Sequence, residues 1–179
     1  MGRQSVTRAI FLMVSILFLG AGQAQGHGFG LFYADSLSGE SRQVGLSWDT
    51  AVAADRLFNY RMNLGYEWLD FEEDHGDSSN SGVTLDNTFG FRFLGNEVMR
   101  LWAGPQITVG AYDGDVGYGV GASLGGNFHV SEAMSLGLTA GVRAMRYEGI
   151  MGGADSKTIG FLRLDVFFRT PSDRFRKNR

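Results

Sequence analysis

The sequence contains no cysteine among its 179 residues. That excludes a disulfide scaffold, a thiolate zinc site, an iron–sulfur cluster and a thiol nucleophile, whichever compartment the chain enters. Lysine is nearly missing as well, with Lys157 and Lys177 its sole representatives, an odd balance for a water-facing surface. Positive charge is not in excess: 16 Lys and Arg stand against 19 Asp and Glu, for a formal net charge of −3. A general nucleic-acid binder, which needs a basic face for phosphates, is excluded on that ground. After the first twenty-odd residues no apolar run approaches the roughly 20 residues of a membrane-spanning helix. The length fits one domain and argues against a two-domain enzyme.

Residues 1–24 read as a secretory signal. Arg3 and Arg8 form a positive start, Ala9 to Gly20 is nearly all apolar, and Gly22-Gln23-Ala24 supplies the small-x-small pattern before a cut. The apolar stretch is about a dozen residues, too short to span a bilayer. The exported chain is then periplasmic, secreted, or embedded by an architecture other than helices.

From His27 onward apolar and polar residues alternate, the signature of strands with one apolar face. In the clearest run Phe58, Tyr60, Met62, Leu64, Tyr66 and Trp68 face one way, and Asn59, Arg61, Asn63, Gly65 and Glu67 the other. The pattern predicts eight strands near residues 28–35, 42–52, 58–70, 83–94, 98–112, 116–130, 134–147 and 157–169. Residues 36–41, 71–82, 113–115 and 148–156 read as polar loops, and the connections near 53–57, 95–97 and 131–133 as mostly short turns. Long loops at one end and tight turns at the other is the asymmetry of a transmembrane barrel.

Alternation alone does not say which face is outside, because a soluble barrel shows it too. The polar face settles the expectation, being crowded with Gly65, Gly90, Gly104, Gly110, Gly117, Gly119, Gly121, Gly125, Gly137, Gly141 and Gly160. Glycine on a wetted strand packs nothing, whereas small residues suit a narrow eight-stranded lumen. The opposite face is too bulky for that lumen and suits acyl chains. Tyr33, Trp68, Phe71, Tyr112, Phe128, Tyr147, Phe167 and Phe168 lie near strand ends, where two aromatic girdles are expected.

With this leader and this alternation, residues 28–169 resemble the small eight-stranded Gram-negative outer-membrane proteins of the OmpA-transmembrane and OmpX/Ail type. The resemblance implies an all-β fold, an eight-stranded antiparallel up-and-down transmembrane β-barrel over residues 25–169, in the cell outer membrane. It implies outer-membrane lipid and lipopolysaccharide as surroundings, a monomer, and an envelope or extracellular partner reached through the loops. Such barrels often end on an aromatic residue. Here Phe167-Phe168 is followed by Arg169 and a polar, periplasmic tail over residues 170–179.

By parity nine charges face the lumen: Asp49, Glu67, Asp86 and Asp165 against Arg61, Arg92, Arg100, Arg143 and Arg163. The preferred reading is an internal ion-pair network that plugs the lumen; the alternative is a charged conduit for ions or small solutes. Arg42, Arg146 and Lys157, near the loop end, are candidates for lipopolysaccharide phosphates, with snorkelling to the interface as the rival reading. His129-Val130-Ser131 resembles the close His and Ser of barrel-type lipid A deacylases but falls at the turn end, so no catalytic residue is assigned. The acidic stretches Glu72–Asp77 and Asp113-Gly114-Asp115 lack the spacing of a calcium loop, and Gly117–Ala122 precedes no helix, so neither metal nor cofactor is expected. Pro105 inside the fifth strand calls for a bulge. Inward parity at Trp102 points to a register break there or an aromatic plug.

Overall fold

A computed structural model describes residues 27–52, 56–73, 76–113, 115–148 and 154–169. The leader over 1–24 and the tail over 170–179 lie outside the described residues. Eight strands follow one another: β1 (Gly28–Ser36), β2 (Ser41–Asp49), β3 (Phe58–Glu73), β4 (Gly76–Gly95), β5 (Met99–Tyr112), β6 (Asp115–His129), β7 (Met134–Glu148) and β8 (Ala154–Arg169). Each pairs antiparallel with the next, and β1 pairs antiparallel with β8, which closes the sheet into an up-and-down barrel.

The register fixes the shape. Stepping across the ladder from Gly28 leads through Asp49, Arg61, Thr88, Gln106, Gly121 and Arg143 to Ile159. Ile159 lies two residues past Phe161, the partner of Ser36, so the circuit returns ten residues further along the first strand. Ten residues of stagger over eight strands, at ~3.3 Å per residue and ~4.8 Å per strand, tilts the strands about 40° and leaves a backbone radius near ~8 Å.

Burial alternates as the pattern predicts. Along β1, Gly28, Gly30, Phe32, Ala34 and Ser36 are buried inside while Phe29, Leu31 and Tyr33 are exposed outside. Aliphatic and aromatic side chains cover the outside; Leu31, Phe93, Val120 and Leu164 are each 60% or more exposed. At the turn end Trp48, although outward in parity, is covered by His27 stacked at 5.9 Å, by Phe29 at 6.3 Å and by Tyr60 at 6.0 Å. Tyr33, Tyr66, Trp68 and Tyr118 occupy the outside toward the loop end.

Several expectations are corrected. Residues 71–73 and 76–82 are not loop: β3 and β4 stay paired out to Glu73 and Gly76. Second, β2 ends at Asp49, whose carboxylate accepts the Ala51 N–H at 2.8 Å and turns Ala51 and Val52 into the interior, fully buried. Tyr112, Tyr147 and Phe167 belong to no girdle, because they point inward and are buried. Gly160 shares the outward parity of Leu162 and Leu164, and a Cβ there would meet Leu37 rather than the lumen. Pro105 stays in register with Ala122 of β6, while its β4 side lacks the pairs opposite Pro105 and Gly104. The register shift comes further along, between Arg92 and Leu94.

Glycine is required where strands meet the large interior rings. A Cβ on Gly45 would overlap the Leu64 carbonyl and reach 2.8 Å from the Phe32 ring; one on Gly65 would meet the same ring at 2.8 Å. Neither backbone nor ring can retreat in so narrow a hollow. The substitution Gly45→Val is expected to cost about 3 kcal/mol or more, through overpacking. Urea titration of the refolded barrel, followed by the boiling-dependent shift of the folded band on a gel, checks this against Gly160→Val, which faces outward and should change little.

Candidate functional site: the charged interior

Sorting the inward positions by level gives a stack of four layers. Nearest the loops, Leu69, Tyr112, Met145, Tyr147 and Ile159 form a buried apolar cluster, with the rings of Tyr112 and Tyr147 packed edge to face at 5.6 Å. Below them Glu67 is the hub. It pairs with Arg143 and accepts hydrogen bonds from Ser41 Oγ at 2.5 Å and from the Tyr112 hydroxyl at 2.5 Å. Asp86 pairs with Arg163, accepts from Thr108 Oγ1 at 2.7 Å, and stands 3.6 Å from Arg143. Rings close over these charges: the Arg163 guanidinium carbon lies 4.8 Å from the centre of Phe32 and 5.3 Å from that of Phe161.

The third layer centres on Arg61, fully buried. Its guanidinium bonds Asp49 Oδ2 at 2.9 Å, Asp165 Oδ2 at 3.4 Å, Asn127 Oδ1 at 2.7 Å and Thr139 Oγ1 at 3.2 Å. Trp102 and Phe167 flank the same guanidinium, each with its ring centre 4.8 Å away. Asp165 also accepts from Ser47 Oγ at 2.5 Å. A forked, planar cation can serve several acceptors at once, which a lysine ammonium cannot do in a fixed plane, so the near-exclusion of lysine has a structural reason.

Seven of the nine predicted lumen charges are therefore brought together in ion pairs: Asp49, Arg61, Glu67, Asp86, Arg143, Arg163 and Asp165. Arg100 is buried too, but it forms the fourth layer, donating to the carbonyls of Ala51 and Arg56 and to Asn59 Oδ1, and it secures the tucked turn after β2. Arg92 stands half-buried at the bulge on the turn rim, against Gly95. Sequence parity did not reveal the neutral partners. Tyr112, Thr108, Ser47, Asn127 and Thr139 all share the inward parity of a charge on their own or the neighbouring strand, and that is the signal that would have found them. Trp102 is the aromatic plug, buried at 0% exposure, and the β4–β5 register shift falls beside it, between the Arg92–Trp102 and Leu94–Leu101 pairs.

The three loop-end cations do not form one cluster. Lys157 pairs with Glu40 at 3.0 Å, and that contact, with a hydrogen bond from Ser38, holds the Glu40 carboxyl below the usual carboxylate range. Arg146 is exposed, with its Nε 3.7 Å from Glu148. Arg42 is exposed on β2, level through Asp35 with Leu162 of β8, whereas Arg146 is level with Ser156, six residues away on that strand. His129 and Ser131 each bond another group. His129 Nδ1 lies 2.9 Å from Ser135 Oγ, a fully buried hydroxyl, while Ser131 Oγ accepts the N–H groups of Ala133 and Met134 and shapes the turn. Among the described residues no group of His, Asp and Glu is placed to hold a metal ion; the side chains of Glu72, Glu73 and Asp77 and the whole of Asp74 and Gly114 lie outside the described residues.

The site thus belongs to the class of closed eight-stranded antiparallel barrels with an ion-paired interior and an apolar outer face. No known protein family and no curated protein matches the chain.

Removing one partner from a buried pair leaves the other charge uncompensated and typically costs ~3–5 kcal/mol. Arg61→Met, which strands both Asp49 and Asp165, is expected at the upper end of that range. Glu67→Gln combined with Arg143→Met should recover part of the loss of either single change, as a double-mutant cycle in urea would show. Burial holds the His27 imidazole below its ordinary value of about 6.5, aided by Arg56. Because the folded form resists protonation, its contribution is full above about pH 6.5 and declines as acid protonates the unfolded chain first. A ring-proton NMR titration should place the His27 midpoint below 6.5; a midpoint above it would contradict the packing against Trp48.

Proposed function

We propose that this chain is an outer-membrane β-barrel with a structural and surface-interaction role, not an enzyme and not a conduit. One observation carries the reading: inside, four layers of buried ion pairs, rings and apolar side chains occupy the hollow among the described residues, while outside, large apolar side chains stand exposed. A water-soluble barrel has the reverse need. Exposed apolar patches of this extent mark contact with something apolar, and a 12-residue strand tilted about 40° climbs roughly 30 Å, enough for a hydrocarbon band about 25 Å tall. The leader supports export, and lipid and lipopolysaccharide would be the surroundings of Arg42, Arg146 and Lys157.

The β3–β4 hairpin favours a surface role. The last β2 partner of β3 is Leu69, and the first β5 partner of β4 is Gly82. Phe71–Glu73 and Gly76–Ser81 therefore continue as a two-stranded ribbon, about 10 Å beyond the barrel on the β3 side. Asp70 N–H still donates to the Glu40 carbonyl at 2.8 Å, but among the described residues the edges of Phe71–Glu73 and Gly76–Ser81 have no paired barrel strand, and an unpaired strand edge is a template for an added strand. Acidic Glu72, Glu73 and Asp77 along the ribbon suit a basic partner segment.

Outer-membrane fractions should yield a folded band that shifts on boiling, and planar bilayers holding the purified barrel should show no stable single-channel steps at 100 mV. Steps of constant size would overturn the filled lumen in favour of a narrow pore. Recovery of the folded chain in a detergent-free soluble fraction would overturn the location.

A further inference from the structure

The outer face is not uniform around the barrel. Outward positions of β1–β4 carry large side chains such as Phe29, Tyr66, Trp68 and Phe93, whereas across β5–β7 they include Ala103, Pro105, Ala122, Ala140 and Ala144. The result is a depression of about 740 Å³ over Pro105, Ala122, Leu124, Ala140 and Val142, running into another of about 440 Å³ over Ile107, Val120 and Ala144. Pro105 and Ile107 are successive outward positions of β5, as Val142 and Ala144 are of β7, so the two form one lengthwise furrow. From Ala140 to Arg146 its floor runs six residues, about 20 Å along the strand. At a tilt of about 40° that is roughly 15 Å of depth, rather more than half of a hydrocarbon band about 25 Å tall.

The furrow changes character at its loop end, where Tyr118, Arg146, Ser156 and Lys157 line it. Arg146 is 54% exposed there, and its described contact, 3.7 Å from Nε to Glu148, is loose and open to water. Glu148 is itself engaged by the Tyr118 hydroxyl at 2.7 Å. The two terminal nitrogens of the Arg146 fork carry no hydrogen bond among the described residues. A phosphate suits such a fork, which can present two parallel N–H groups to two oxygens.

We infer that the furrow seats one acyl chain of a lipid A molecule, whose phosphate takes hydrogen bonds from Arg146. The inference rests on the outer-membrane reading above, because only in that orientation does the loop end meet the leaflet that holds lipid A. A single molecule joins both halves of the site: a hydrocarbon chain for the apolar floor and a phosphate at the chain's polar end for the cation.

Native mass spectrometry of the detergent-refolded full barrel, offered hexa-acylated bisphosphorylated lipid A or phosphatidylglycerol, tests this. One lipid A per barrel should be retained at least fivefold better than phosphatidylglycerol. Arg146→Gln, which removes the anchor, and Ala144→Trp, which fills the furrow, should each reduce retention at least fivefold, whereas Arg56→Gln, exposed at the opposite, turn end, should not. Equal retention of the two lipids would overturn the assignment to lipid A. Retention indifferent to both Arg146→Gln and Ala144→Trp would overturn the furrow as the site. Because location is read separately from the boiling-dependent band in outer-membrane fractions, loss of the lipid adduct with that band intact would sink this inference and spare the location.

Discussion

Charge buried in a narrow hollow is the constraint on which the structure depends. With a backbone radius near ~8 Å, a side chain from one wall reaches the other, and the ion pairs exploit this: Arg61 of β3 meets Asp165 of β8, Arg143 of β7 meets Glu67 of β3, and Arg163 of β8 meets Asp86 of β4. Each charge is buried where an unpaired ion would be severely penalised, so the pairs are required together once any one of them is present. Neutral hydroxyls and amides complete the shells that a single opposite charge leaves open, as Ser41 and Tyr112 do for Glu67 and Asn127 does for Arg61. Rings of Phe32, Phe161, Trp102 and Phe167 then cover the flat faces of two guanidinium groups, where no hydrogen bond can form.

The same narrowness explains the glycines. Interior space is taken by a few large groups, and strand positions facing them have room for a hydrogen atom. Gly45 and Gly65 bracket the Phe32 ring, and Gly125 faces Trp102. Glycine weakens a strand by its own backbone freedom, and here closure into a ring with no free edge, together with the cross-lumen pairs, offsets that weakness.

Strand number, order and sidedness were legible in the sequence because alternation is a property of single strands, and in a two-layer environment it reports burial directly. Boundaries were less so. Residues 72–81 lack any apolar alternation in the sequence, so the backbone pairing of Phe71–Glu73 with Gly76–Ser78 leaves no mark in the side-chain pattern. Parity identified inward charges, yet it is a statement about one strand, whereas pairing depends on stagger between strands. Hence Arg92 and Arg100 shared the parity of Arg61 and lie elsewhere, and Arg42 and Arg146 looked like neighbours until the register placed them six residues apart. Tyr112, Tyr147 and Phe167 were misread because proximity to a strand end suggested a girdle, where their own parity pointed inward.

Asp165 and Arg163 are both carried by the final strand. Their partners Ser47, Arg61 and Asp86 sit on β2, β3 and β4 in that order, so these bonds exist only after the last segment has docked against the first. Interactions that arise at the final step add little to the speed of assembly and much to the barrier for coming apart. The seam between first and last strands is thereby latched from within: persistence, more than rapid formation, is what the hollow's wiring confers.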